Sequence, residues 1–108
     1  MIKQIFLMKR RAGMTPAEFR DYYENRHAPF MLSLSGRPAV YRRNYVTGPD
    51  ERDYDVVTEI VYATQADFAA AQAAMADPEN ARRMAEDQAR FLEPGSVRAF
   101  TVDCVEDA

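Results

Sequence analysis

The chain has 108 residues, of which 47% are hydrophobic and 29% charged, with a net charge of -3. This is the composition of one soluble globular domain, taken here as residues 1–108, and it argues against a disordered tail or a polybasic nucleic-acid binder. No run of about 18 apolar residues occurs and Lys3 and Gln4 interrupt the apolar start, so neither a membrane span nor a secretory signal is read and a cytoplasmic location is expected.

From Ile2 to Arg10 apolar residues fall on both parities, Ile5 and Leu7 against Phe6 and Met8, as in a strand covered on two faces. The stretch AGMTPAEF then carries a helix start: Thr15 as N-cap, Pro16 at the first helical position and Glu18 completing a capping box. This first helix is expected to run from Pro16 to about His27, with Phe19, Tyr22, Tyr23 and Arg26 on one stripe. Pro29 disfavours helical geometry at Ala28, which places His27 near the helix C-terminus. A short turn or helix over Phe30 to Leu34 follows, ended by Ser35-Gly36-Arg37-Pro38.

Val40 to Thr47 and Val56 to Ala63 read as neighbouring antiparallel strands joined by a polar loop. Thr64 and Asp67 open an alanine-rich helix with the stripe Phe68, Ala71 and Met75. Asp77-Pro78 restarts a helix with Met84, Gln88, Phe91 and Leu92 on one face, and Glu93-Pro94-Gly95 ends it. Ser96 to Val105 is the last strand. The order predicts an α+β, ferredoxin-like split βαβ fold: a four-stranded antiparallel sheet with helices on one face. Its second face is partly apolar as well, so a second copy of the chain is expected to cover it.

The strings MKRRAGMTPAEFRDYYENRHAPF, YDVVTEIVYAT and AEDQARFLEPGSVRAFTVDCVE resemble the EthD-like branch of the dimeric α+β-barrel superfamily. The resemblance covers most of the chain, and its most specific part is the first string, where capping box, aromatic pair and His-x-Pro occur together. It implies a homodimer joined through sheet faces and a pocket between sheet and helices for a small hydrophobic or aromatic ligand. Relatives carry out cofactor-free isomerisations, dehydrations and ring closures of lactones or polyketide-like aromatics, while the family's name-giving members belong to ether-degradation clusters.

His27 is the only histidine, and an unperturbed imidazole titrates near the pH at which proton transfer is useful. A structural role at a helix end explains it too, through the helix dipole. The resemblance aligns it with the family's His-x-Pro motif and implies a catalytic role. Tyr23, four residues earlier, is placed to meet His27 on one helix face. Glu59, set among apolar neighbours in VVTEIVY, is a second catalytic candidate, since a carboxylate on a buried strand needs a partner or a raised pKa; an ion pair with an arginine explains it equally. Strand alternation groups Tyr41, Arg43 and Tyr45 as binders of a substrate oxygen. Phe30, just beyond the His-x-Pro motif, is taken as a further substrate contact.

One cysteine, Cys104, and one histidine cannot supply a structural zinc site, so no metal is expected. There is no glycine-rich phosphate loop or nucleophile elbow, and no cofactor is expected. The expectation is a cofactor-independent isomerase, dehydratase or cyclase acting by proton transfer, with His27 as base. The alternatives are a non-catalytic ligand-binding or accessory protein of a monooxygenase or ether-degradation system, and a haem-linked oxidation with His27 as axial ligand.

Overall fold

The computed structural model describes residues 1–107. Four antiparallel strands, β1 (Ile2–Met8), β2 (Val40–Tyr45), β3 (Val56–Tyr62) and β4 (Arg98–Val102), form one sheet in the order β2-β3-β1-β4. The helices α1 (Pro16–Tyr22), α2 (Ala28–Ser35), α3 (Gln65–Ala76) and α4 (Pro78–Ala89) supply the layer that packs against one face. This is the ferredoxin-like α+β arrangement that the element order predicts. β1 ends at Met8, two residues earlier than its apolar run suggests, and Arg10 makes only an isolated bridge to Leu92.

The helix starts follow the sequence. Thr15 and Glu18 form the reciprocal capping box, with Thr15 N donating to Glu18 Oε1 at 2.9 Å and Glu18 N to Thr15 Oγ1 at 3.1 Å. Thr64 and Asp77 accept from Asp67 N and Asn80 N, each at 3.1 Å, and so start α3 and α4. Each such cap is worth about 1 kcal/mol.

The stretch around His27 departs from expectation. The helix does not stop there: Tyr23–His27 forms a π turn, in which the Ala28 N–H bonds to the Tyr23 carbonyl, and α2 continues from Ala28. Ala28 is helical at φ -61 and ψ -46 although Pro29 follows it. A regular α turn would press the proline ring onto the preceding turn, and the wider turn lets the helical path pass it. His27 therefore lies inside a continuous helical path from Pro16 to Ser35 and not at a C-terminus. That path ends at Gly36, whose φ of 76 suits a residue without Cβ.

Strand alternation sorts the sheet. Gln4, Phe6 and Met8 of β1, Thr58, Ile60 and Tyr62 of β3 and Tyr41 of β2 face the helices. Lys3, Ile5, Leu7, Val57, Glu59 and Val61 occupy the alternate positions, on the open face. Two core clusters form beneath the helices, one around Met8, Phe19, Tyr23, Val56, Phe91 and Leu92, the other around Ile60, Tyr62 and Ala71. Phe6 and Tyr41 touch both.

Candidate active site

The π turn brings Tyr23 and His27 inward together. Their rings meet edge to face at 4.8 Å, and the His27 ring packs at 4.8 Å from Phe91. Tyr23 is fully buried and His27 is 3% exposed. His27 Nδ1 donates to Asp87 Oδ2 at 2.6 Å, and the Tyr22 hydroxyl donates to Asp87 Oδ1 at 2.8 Å. Burial pushes the Asp87 carboxyl up, but the bonds from His27 and Tyr22 outweigh it and hold the group below its ordinary value. Asp87 is thus an ionised acceptor that fixes the imidazole with its Nδ1 proton toward the carboxylate.

Among the described residues His27 Nε2 makes no hydrogen bond, and no fully buried polar side-chain atom is left unpaired. Nε2 is therefore open to the cavity that His27 lines. This cavity, about 320 Å³, lies between sheet and helices and is walled mostly by apolar side chains, among them Phe6, Met31, Ile60, Tyr62, Met75 and Met84. Its size and lining suit a small apolar ligand held by a few polar groups. Beside His27, the Tyr23 hydroxyl shares a hydrogen bond of 2.7 Å with Thr58 Oγ1, and the Tyr41 hydroxyl donates to Tyr23 at 3.4 Å. Burial raises the pKa of both phenols, so they remain protonated donors.

Of the residues singled out from the sequence, His27, Tyr23 and Tyr41 share this cavity. Glu59 does not. It stands on the open face, 2.7 Å from Lys3 Nζ, within 3.0 Å of Asn44 Nδ2 and 3.6 Å from Arg42. The Lys3 and Asn44 hydrogen bonds lower its pKa, and the sheet separates it from His27. Its parity with Val57 and Val61 puts it there, where it pairs with Lys3 and does not line the cavity of His27.

Arg43 and Tyr45 share the inner parity of Tyr41 but are committed to Glu24. Arg43 Nη2 and Nε reach the two Glu24 oxygens at 2.6 and 3.0 Å, and the Tyr45 hydroxyl donates to the same carboxylate. The Arg43 guanidinium also lies 4.6 Å from the Tyr41 ring centre, so it supports the ring and does not line the cavity. Phe30 points to the other side of α2, where it underlies the Arg83 guanidinium at 5.1 Å in an outer groove. Neither it nor the Arg43–Tyr45 pair reaches the space before His27 Nε2.

Sequence reasoning missed Asp87 and the polar role of Tyr22. A signal existed: Asp87 falls between Met84 and Phe91, at helical spacing from both, an acid in the inward stripe of α4. Buried Asp55 is a different case, held by Arg10 N at 2.8 Å and by Arg10 Nε and Arg52 Nε at 3.2 Å each. It anchors the basic run after β1 and takes no part in the cavity.

A ferredoxin-like subunit with a histidine–carboxylate pair facing an apolar cavity is the class that fold and site define. Residues 11–95 match the EthD domain, and the chain belongs to that family. Comparison with solved structures gives the same fold. An EthD family protein from Bacillus halodurans superposes with a TM-score of 0.66 at 17% identity, over 97% of this chain and 100% of that one. HapK from Hahella chejuensis gives 0.63 at 15% identity, over 100% and 98%. A NIPSNAP domain protein from Burkholderia xenovorans gives 0.60 at 17%, over 97% and 95%. No curated protein matches the chain significantly. No helix among the described residues is long and apolar enough to cross a membrane, and none of their His, Cys, Asp and Glu side chains group as a metal site.

Proposed function

We propose that this protein is a cofactor-independent enzyme that isomerises, dehydrates or cyclises a small aromatic, polyketide-like or lactone substrate by moving a proton, with His27 as general base. The observation that carries this reading is the 2.6 Å bond from His27 Nδ1 to Asp87, which leaves Nε2 with a free lone pair open to a 320 Å³ cavity. Nε2 takes a proton from a carbon next to a carbonyl, and Asp87 stabilises the imidazolium that forms. The negative charge moves to the carbonyl oxygen. Tyr41 is the phenol suited to receive it, because its bond to Tyr23 is long and is exchanged at little cost for one to the substrate. The same imidazolium then returns the proton to another carbon or to a departing hydroxyl.

The protein acts as a homodimer in this reading. Ile5, Leu7, Val57 and Val61 on the open sheet face, with Phe100 at 50% exposure, support it, since a self-complementary apolar face is covered most simply by its own copy.

Deuterium exchange at the acidic carbon of β-tetralone, followed by proton NMR in heavy water, tests the chemistry. The wild-type chain is expected to accelerate exchange above buffer, and His27→Ala to abolish the acceleration. A wild-type chain that binds such ketones without accelerating exchange would overturn the enzymatic reading in favour of a ligand-binding or accessory protein.

A further inference from the structure

We infer that two glutamines, Gln4 and Gln88, select a neutral, multiply oxygenated ligand in the cavity of His27, an inference that rests on this cavity being the binding site. Gln4 of β1 and Gln88 of α4 line it and are partly buried, while Gln72 of α3, also in the lining, is exposed to solvent. Gln4 holds an inward position with Phe6 and Met8, and Gln88 directly follows the Asp87 that anchors His27. Among the described residues neither the Gln4 nor the Gln88 carboxamide makes a hydrogen bond within the protein, and no fully buried polar atom is left unpaired, so their unsatisfied groups open to the cavity space.

An amide against an apolar cavity costs free energy unless water or a ligand bonds to it. Two of them, from β1 and α4, amount to a set of donors and acceptors with no protein partner. A carboxamide offers both a donor and an acceptor, so it suits ligand hydroxyls and carbonyls equally. Neither arginine nor lysine lines the cavity, and no carboxylate does. An ionised carboxylate or phosphate would therefore lose its hydration there without gaining a counter-charge. The chemistry of the lining selects an uncharged ring compound that carries several oxygens, one set toward His27 and Tyr41 and others toward the glutamines.

Binding of naphthalene, dihydroxynaphthalene and dihydroxynaphthoate to the full chain, followed by NMR titration in anaerobic buffer, tests this. Dihydroxynaphthalene is expected to bind about tenfold tighter than either of the others, as two net hydrogen bonds allow. Gln4→Leu and Gln88→Leu should each weaken it about fivefold while leaving naphthalene unchanged or tighter. Naphthalene or the naphthoate binding as tightly as the neutral diol, or substitutions that weaken naphthalene and diol alike, would overturn the inference. His27→Ala is expected to keep the preference for the diol although it abolishes exchange on β-tetralone. Loss of exchange with the preference kept, or the reverse, separates failure of the proton-transfer reading from failure of the glutamine set.

Discussion

Asp87 and His27, sixty positions apart in the chain, are joined by a 2.6 Å hydrogen bond across the interface between α4 and the π turn. The bond does two things. It gives a buried carboxylate the donor it needs, and it fixes which imidazole nitrogen faces the cavity.

His27→Ala is expected to leave a folded protein that is about 2 kcal/mol less stable, measured by urea unfolding. The side chain is buried against Tyr23 and Phe91, and its removal strips Asp87 of one donor. A helix-end histidine acting only on the dipole would cost less than about 1 kcal/mol, so the size of the loss distinguishes the two situations.

Asp87→Asn retains the shape of the pair and removes its charge. β-Tetralone exchange is expected to fall by about a hundredfold or more, since the amide no longer fixes the Nδ1–H tautomer or stabilises the imidazolium. Stability supplies a second readout. The folded carboxyl lies below its ordinary value of 3.8, so its ionised form stabilises the fold above that pH, and the contribution is lost as pH falls through the lower folded value. The difference in unfolding free energy between wild type and Asp87→Asn should shift in the variant's favour as pH falls below about 4.

Glu59→Gln is expected to leave exchange on β-tetralone within about twofold of wild type, because the sheet separates Glu59 from His27. Its unfolding midpoint should move little and become less sensitive to salt, as befits a partly exposed ion pair with Lys3. A hundredfold loss of exchange would return Glu59 to the catalytic set.

Light scattering at micromolar concentration should give twice the chain mass of 12.3 kDa. Ile5→Lys, on the open face, should give the monomer mass with the helical signal retained in circular dichroism. Such a sheet-face dimer buries well over about 1,000 Å² in total, which one charge at its centre is sufficient to disrupt.

Local pattern made the fold legible from the sequence. Capping residues at Thr15, Thr64 and Asp77 start helices through contacts within four residues, and the apolar periods of the strands set which residues share a face. The EthD resemblance and His27 were legible for the same reason, since the His-x-Pro stretch is contiguous. Parity grouped Glu59 with Val57 and Val61, but it does not say which face the helices will cover; only packing put that set outside and Thr58 with Ile60 inside. Pro29 suggested a helix end, and the tertiary core instead selected a π turn, because burying Tyr23, His27 and Ala28 together outweighs the local cost of passing a proline. The partner of His27 was beyond local reading altogether. A side-chain bond across sixty residues leaves no spacing rule in the chain, and it exists only because α4 docks beside the π turn with Asp87 on its inner stripe.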